Sequence, residues 1–336
     1  MNNIVQVNMR EKILNLLSGK KINVQPAFSG LIHITAEGLQ KEGLAFHETH
    51  TDAHKMAKSA ASTFKLSGLP SAVVPLDMYV EAEALGAEIN FRADREFEFP
   101  QVMKAGLFGS AKEITEETTN VLNKGRIKLV CDAIKFLKED VGNDVVIGGM
   151  IPGPYTLLLL IVDVRNMFIE MKKEPQAVKD ALFHLSSFLV KIGAAYKNAG
   201  ADFITIHDMG GSPAFIGPSK YEQFAFPAEK FLIEKLPQPR VLSVCGNVTS
   251  SLHLLAQTGA DALSLDQTVD LVAARLILKD TLLFGNLDPV ETLYQGDPVQ
   301  VAESVIRAKE AGVDAIWPGC DLVIRTPIQN INALIV

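Results

Sequence analysis

Short, nearly continuous apolar runs alternate with longer segments of helical periodicity along the chain. Eight of these runs are bounded by turn residues, a pattern typical of strands that are covered on both faces, as in parallel sheets. The predicted strands are 22–28, 72–77, 144–151, 202–207, 240–245, 262–266, 281–285 and 314–318. The intervening segments repeat apolar residues with a period near 3.6, which predicts amphipathic helices. The clearest repeat comprises Val178, Leu182, Leu185, Leu189 and Ile192.

One joint between a helix and a strand occurs three times, in NAGADFITI, QTGADALSL and EAGVDAIWP. It places Gly200, Gly259 and Gly312 after a helix and before a strand, where a left-handed C-cap favours glycine. Eight strands that alternate with helices predict an α/β fold, the (β/α)8 barrel, with the active site at the C-terminal ends of the strands. A doubly wound open sheet is the alternative, but no GxGxxG turn follows a strand.

We expect residues 1–336 to form a single domain, because no low-complexity linker interrupts the pattern. A helix is predicted at about 9–18. Two connections, at about 29–51 and 78–113, are long enough to be insertions over the barrel mouth.

Composition narrows the functional classes. The chain is 48% hydrophobic, which excludes a disordered chain, and its net charge of -7 provides no basic field for a nucleic acid. The longest aliphatic run, 157–162, ends at Asp163 and is too short to span a bilayer. Three cysteines cannot build a disulfide framework and favour a reducing compartment. We therefore expect a cytoplasmic protein with no nucleic-acid or membrane partner.

Candidate chemistry collects at the predicted C-terminal strand ends. The catalytic candidates are Asp77, His207 and Asp266, and the metal-ligand candidates are Cys245, Cys320, Asp266 and His207. Thiolate, imidazole and carboxylate groups are the donors that zinc takes. The alternative is that the cysteines only pack, as we expect for Cys131 within a helix. His207 has two alternatives to a ligand, a general base or a hydrogen-bonded core residue.

Further residues near the same strand ends are candidate substrate contacts: Phe28, Tyr79, Met150, Asp208, Asn247 and Asn286. An early cluster, HETHTDAH, spaces His47, His50 and His54 like metal ligands. We interpret it instead as a solvated helix start that is capped by Asp52.

Six motifs occur in a characteristic order. They are PLDMYVEAEALG (75–86), GGMIPGPYTL (148–157), RVLSVCGNV (240–248), LSLDQ (263–267), FGNLDP (284–289) and AIWPGCDLVIRTPIQNINAL (315–334). Together they resemble the uroporphyrinogen decarboxylase superfamily over nearly the whole chain, and within it the corrinoid-dependent methyltransferases of the methylcobamide:coenzyme M type. The resemblance implies a barrel fold, and methyl transfer between a protein-bound corrinoid and a thiol or tetrahydrofolate acceptor. The implied partners are a corrinoid protein and a small-molecule acceptor, and a homodimer is a candidate assembly.

The same resemblance implies a zinc site formed by His-x-Cys and a distant Cys in a PGC block. Cys245 and Cys320 match the two thiolates, and Asp266 lies at the strand end that carries an exchangeable carboxylate. Ser243 stands at the histidine position. Three explanations are open: His207 supplies the missing imidazole, zinc binds weakly, or the site has lost its metal.

A carboxy-lyase that acts on a tetrapyrrole or another carboxylic acid is the alternative function. Asp77 matches the catalytic aspartate of the decarboxylases. Their arginine-rich N-terminal motif is replaced by AFSGLIHITAEGL (27–39), which contains no arginine, and Cys320 stands in place of their histidine. Guanidinium groups are the usual partners of substrate carboxylates, so the resemblance favours methyl transfer.

Overall fold

A computed structural model describes residues 8–335. Seven strands form one parallel sheet whose order follows the chain, and a short antiparallel hairpin, β2 with β3, lies outside it. The strands are β1 (Ser71–Val74), β2 (Ile89–Asn90), β3 (Gln101–Val102), β4 (Val146–Pro152), β5 (Phe203–Asp208), β6 (Arg240–Val244), β7 (Ala262–Leu265), β8 (Leu282–Leu287) and β9 (Ala315–Pro318).

Helices connect the strands and form the outer layer. They are α1 (Met9–Leu17), α2 (Ala36–Glu42), α3 (Ala53–Ser67), α4 (Val80–Ala84), α5 (Ile127–Asp140), α6 (Pro154–Ile161), α7 (Val164–Lys173), α8 (Pro175–Ala199), α9 (Pro213–Ile216), α10 (Pro218–Lys220), α11 (Phe226–Lys235), α12 (Leu252–Leu255), α13 (Leu271–Ile277), α14 (Pro298–Glu310) and α15 (Ile328–Asn332). Short 3-10 turns occupy Phe46–His50, Ala111–Glu113, Thr249–Ser251 and Ala333–Ile335, and a π turn occupies Tyr221–Ala225. No helix within 8–335 has the length and apolar character that a membrane crossing requires.

The prediction of a (β/α)8 barrel is confirmed, but the first predicted strand, 22–28, was wrong. That segment makes only an isolated parallel bridge, from Ala27 to Ile316 of β9. Pro26 has no N–H to extend a ladder, and its carbonyl accepts from the Ile316 N–H at 2.9 Å. On its other side the chain bonds to a side chain of β1, because the Ser29 N–H donates to the Ser71 hydroxyl at 3.0 Å. Residues 26–29 therefore close the barrel in place of an eighth strand.

The predicted helical periodicity and two of the three glycine caps agree with the structure. The five apolar residues of the repeat all lie on the buried face of α8. Gly200 and Gly312 follow the ends of α8 and α14 with φ values of 118° and 87°, as expected for left-handed C-caps. Gly259 also has a positive φ, 80°, but α12 is already capped at Ala256, so the predicted helix cap at Gly259 was wrong. Asp52 caps α3, since its carboxylate accepts from the Lys55 N–H at 2.9 Å.

Aromatic side chains fill the barrel interior. The ring of Phe28 lies edge-on to those of Phe203, Phe284 and Trp317, with centroids 6.1, 5.5 and 5.1 Å away. Helix α1, where a helix was predicted at about 9–18, packs three buried residues into the same cluster: Ile13, Leu16 and Leu17. The cluster also contains residues from the beginnings of several strands, including Val146 and Val241, so α1 covers the N-terminal end of the barrel.

The two segments predicted as mouth insertions lie on either side of β1. The segment 29–51 contains α2 and the 3-10 turn, and its first residues enter the barrel, where Leu31 joins the aromatic cluster. The segment 78–113 contains α4 and the β2–β3 hairpin. Both reach the C-terminal side of β1, because His50 and Tyr79 bond to Asp77.

A substitution at Gly30 tests how tightly the first residues of the segment 29–51 pack inside the barrel. A Cβ atom there would lie 2.3 Å from the Thr205 hydroxyl and 2.5 Å from the Trp317 ring. We expect Gly30→Ala to lower the free energy of unfolding by about 1–3 kcal/mol through overpacking, as measured by urea denaturation. Gly109→Ala is the control, because its added Cβ would meet only a flexible Glu113 carboxylate. Equal stability of the two variants would contradict this packing.

Candidate metal and active centre

Three soft donors converge at the C-terminal end of the barrel. The Nε2 atom of His207 lies 3.3 Å from Sγ of Cys245 and 3.9 Å from Sγ of Cys320, and the two sulfur atoms are 3.3 Å apart. His207 is fully buried, whereas both cysteines are partly buried. The sulfur separation is well above the disulfide length of about 2.05 Å, so both cysteines are free.

Strand register explains how the imidazole reaches the thiols. His207 of β5 pairs directly with Ser243 of β6. Ser243 and Cys245 are two residues apart, so they point to the same face of their strand. The imidazole therefore lies beside Ser243 and extends to Cys245. The Ser243 hydroxyl is buried and has no hydrogen-bond partner among residues 8–335.

The electrostatics of the cluster favour a proton shared among its members. Burial alone would lower the pKa of His207, but the Asp321 carboxylate, 3.8 Å from Nδ1, and the sulfur of Cys320 raise it to about 9. Hydrogen bonds from Cys245 and His207 lower the pKa of Cys320, against the effect of burial. The same sharing with Cys320, followed by burial, raises the pKa of Cys245. Cys320 is thus the first thiolate to form.

The donor set fits one zinc ion. The three donor atoms lie within 4.8 Å of one another. Zinc bonds of about 2.3 Å to sulfur and about 2.0 Å to nitrogen separate tetrahedral donors by roughly 3.5–3.8 Å, which is close to the separations found. Two cysteines and a histidine would leave a fourth position for an exchangeable ligand, as in catalytic zinc sites.

Asp266 does not join these donors. One of its oxygens accepts from the Gly246 N–H at 2.8 Å, and the other accepts from the backbone and hydroxyl of Thr268 at 2.9 and 2.7 Å. Asn286 donates to the Asp266 carbonyl at 2.9 Å. These contacts fix the loop that follows Cys245, because Gly246 turns there with φ 79°.

Asp77 is held in a separate buried ion-pair network. Its carboxylate accepts from both terminal nitrogens of Arg126, at 2.7 and 3.1 Å, and from Nδ1 of His50 at 2.8 Å. Arg126 also donates to Glu83 at 2.6 Å. Burial would raise the pKa of Asp77, but Arg126 and His50 hold it well below its usual range. Asp77 is therefore ionised and fully engaged, and His50 is part of this network rather than of a solvated helix start.

Asp208 lies inside the protein beside a second carboxyl group. Its Oδ1 accepts from the Thr156 hydroxyl and from the Gly211 N–H. Burial and the neighbouring Asp208 carboxylate raise the pKa of Glu229 well above its usual value, and the Tyr221 hydroxyl donates to Glu229 at 2.7 Å. Asp208 thus belongs to a buried polar cluster, away from solvent.

The other candidate substrate contacts are dispersed. Phe28 is 1% exposed in the barrel interior and Met150 is equally buried, so the structure corrects their expected position at an open surface. Tyr79 is half-buried and donates its N–H to Asp77 at 2.9 Å. Asn247 is exposed, and its side chain accepts from the Thr249 N–H at 3.1 Å. The structure brings together His207, Cys245 and Cys320.

Sequence reasoning missed two residues that shape these sites. Arg126 neutralises Asp77 across 49 positions of sequence, which no local motif signals. Asp321 follows Cys320 directly in the PGCD segment. A carboxylate next to a candidate metal ligand could therefore have been identified from the sequence. Its Oδ1 accepts from the Ile32 N–H at 2.8 Å.

Residues 8–336 match the family described as uroporphyrinogen decarboxylase (URO-D). The chain belongs to this family. It is 31% identical to the methylcobamide:CoM methyltransferase MtbA of Methanosarcina acetivorans, over 97% of this chain and 96% of that protein. A solved methyltransferase from Methanosarcina mazei superposes with a TM-score of 0.92 at 28% identity, over 98% of this chain and 97% of the other.

A uroporphyrinogen decarboxylase of Thermodesulfovibrio yellowstonii is 28% identical, but over 81% of this chain and 79% of that protein. The resemblance to this family, and to its methyltransferases over nearly the full length, is confirmed.

Removal of Arg126 tests the buried network. Arg126→Met leaves the Asp77 carboxylate buried without its main partner, so we expect a loss of about 3–5 kcal/mol in the free energy of unfolding by urea. The matched control, Lys65→Met, breaks an exposed pair with Asp140 and is expected to cost about 0–1 kcal/mol.

The loss in the free energy of unfolding caused by Arg126→Met should depend on pH. In the wild type, the lowered pKa of Asp77 makes its contribution complete above the ordinary value of about 3.9, with loss only as pH falls through the folded value. In the variant, the buried Asp77 carboxyl keeps only His50 as a partner. Burial should then raise its pKa, so the protein should lose stability as pH rises. The difference between the two proteins should therefore grow from pH 5 to pH 8. A difference that is constant or shrinks would contradict the assignment.

Proposed function

We propose that the protein is a methyltransferase that moves a methyl group between a protein-bound corrinoid and a thiol, at a zinc ion held by Cys245, Cys320 and His207. The convergence of these three donors within 4.8 Å is the observation that carries the proposal. Similarity to methylcobamide:CoM methyltransferases over nearly the full length supports the same reaction class.

When bound, zinc supplies Lewis-acid stabilisation that keeps the acceptor sulfur as a thiolate near neutral pH. Cys245 and Cys320 would hold the ion as thiolates. The Asp321 carboxylate, 3.8 Å from Nδ1 of His207, favours a proton on that atom through its charge, which would leave Nε2 as the donor nitrogen. Asp266 keeps the Cys245 loop in place through the Gly246 N–H. The acceptor thiol releases its proton, its sulfur bonds to the methyl carbon as the cobalt–carbon bond breaks, and the electron pair stays with the corrinoid.

The imidazole in this proposal comes from β5 instead of β6. Ser243 occupies the position where the family resemblance places histidine, and His207 is its direct neighbour in the register. A ligand can move to the adjacent strand because parallel strands lie about 4.8 Å apart, a distance that one side chain spans. The proposal therefore requires that His207 supplies the imidazole that Ser243 lacks.

The carboxy-lyase alternative receives no support from the position of Asp77. A catalytic carboxylate must face the substrate, but Asp77 is 1% exposed and is occupied by Arg126 and His50. No contact of the described residues favours tetrahydrofolate as the acceptor.

A corrinoid protein has an apolar surface to dock on beside the thiols. Met209, in the loop that follows β5, is 38% exposed, and Phe215, in the adjoining helix α9, is 71% exposed. This loop adjoins Cys245, because the Ser212 hydroxyl donates to the Cys245 carbonyl. The partner is thus proposed to approach the barrel over this loop. The homodimer and the cytoplasmic location stay predictions.

Metal analysis tests the centre directly. We expect about one zinc per chain in protein purified without chelator, measured by inductively coupled plasma mass spectrometry. Cys245→Ala and Cys320→Ala should lose the metal, and His207→Ala should lower its occupancy. Cys131→Ser is the control and should retain it, because Cys131 lies in α5 on the outside of the barrel. Fully active protein without zinc would eliminate the proposed centre.

Activity is tested through the visible spectrum of methylcobalamin in the presence of thiols. We expect thiol-dependent demethylation, with losses of at least 100-fold in Cys245→Ala and Cys320→Ala, because each removes a ligand of the ion that activates the acceptor. The same protein should release no carbon dioxide from uroporphyrinogen. Decarboxylation without methyl transfer would reverse the assignment.

A further inference from the structure

The loops that follow β5, β6, β7 and β8 carry only one sign of charge. They comprise residues 209–217, which include the short helix α9, and residues 245–251, 266–270 and 288–297, and they contain no lysine or arginine. Their five acidic residues are Asp266, Asp270, Asp288, Glu291 and Asp297. Because these loops follow the C-terminal ends of adjacent strands, they form one side of the mouth that leads to the thiols.

Negatively charged carboxylates raise the pKa values of the donors. Asp321 and Asp266 do so for Cys245, and Asp321 and Asp208 do so for His207. A centre with one zinc ion, two thiolates and a neutral imidazole has no net charge. The carboxylates therefore dominate the local field.

Arginines on the opposite side of the mouth are already paired. They face carboxylates as Arg92 with Glu98, Arg95 with Glu98, Arg126 with Asp77 and Arg325 with Glu96. Arg325, the arginine of the loop after β9, also lies over the ring of Phe97 at 4.9 Å. An anionic group on the acceptor would have to compete with these carboxylates for a guanidinium.

Asp321 presents a carboxylate oxygen next to the centre. Its Oδ1 accepts from the Ile32 N–H at 2.8 Å, whereas Oδ2 lies 3.8 Å from the Nδ1 atom of His207, beyond hydrogen-bond distance. The side chain is 23% exposed, so a small molecule at the thiols can reach it. An ammonium group would satisfy this oxygen, and a sulfonate would be repelled by it.

We infer that the methyl acceptor is a thiol that carries a cationic amine, and not a sulfonate thiol of the coenzyme M kind. The inference rests on the proposed function and names the substrate class of the same centre. Coenzyme M is named as the substrate of the similar MtbA, so this chain is inferred to have a different acceptor preference. The product is the S-methyl thioether of the aminothiol.

The test compares three two-carbon thiols that differ only in their second group: cysteamine, 2-mercaptoethanol and 2-mercaptoethanesulfonate. Rates of methylcobalamin demethylation are corrected for the thiolate fraction of each thiol at the assay pH. We expect kcat/KM for cysteamine to exceed that for the sulfonate by at least about tenfold, with 2-mercaptoethanol between them. The inhibition constants of the S-methyl thioethers should follow the same order, which reports binding without turnover. Added salt should narrow the ratio.

Asp321→Asn should reduce the cysteamine-to-sulfonate ratio by at least about threefold. Both acceptors are assayed with the same protein, so a change in zinc occupancy lowers both rates and leaves their ratio unchanged. Glu303→Gln is the matched control, because it removes one negative charge from the exposed face of α14 and should leave the ratio as in the wild type.

A sulfonate acceptor that equals or exceeds the amine would overturn the inference and leave the proposed methyl transfer intact. A ratio that Asp321→Asn does not alter would overturn it as well. Demethylation by none of the three thiols would instead refute the proposed function, and with it the inference.

Discussion

Closure of the sheet through residues 26–29 is the constraint on which the candidate centre depends. Cys245 follows β6 and Cys320 follows β9, three strand spacings apart in the sheet order. In a flat sheet, three spacings of about 4.8 Å would separate them by roughly 14 Å. Their sulfur atoms lie 3.3 Å apart, because the sheet curls and the chain at Phe28 and Ser29 joins β9 to β1. The aromatic interior and helix α1 support this closure from the N-terminal side.

Two clusters of polar side chains, one around Asp77 and one around His207, lie near the C-terminal end of this barrel. Both oxygens of the Asp77 carboxylate are engaged by Arg126 and His50, as burial of an ion requires. Around His207, the Nε2 atom and the two sulfur atoms lie within 3.9 Å of one another, and the neighbouring Ser243 hydroxyl has no partner among the described residues. A carboxylate whose two oxygens are both engaged indicates a structural role, whereas soft donors that converge on one point indicate a ligand site.

The proteins similar to this chain include both methyltransferases and decarboxylases. The pairing of Asp77 with Arg126 and the grouping of Cys245 with Cys320 argue for the methyltransferase group. At the same time, the imidazole lies one strand away from the position that the family resemblance implies, and the mouth loops carry carboxylates without cations. Methyl transfer from a corrinoid to a thiol other than coenzyme M accounts for both features.

The sequence by itself determined the order of the strands and helices after residue 70, the glycine caps at Gly200 and Gly312, and the barrel class, because each of these follows from local periodicity and backbone preference. It also identified His207, Cys245 and Cys320, since strand ends of a barrel share one rim. It did not determine the first strand, because Pro26 and the bond from Ser29 to a side chain end the ladder after one bridge. Only the tertiary structure decided that Arg126 occupies Asp77, that Phe28 lies in the core, and that His207 rather than Asp266 meets the thiols. Those outcomes depend on register and on contacts between residues far apart in the chain, which local patterns do not encode.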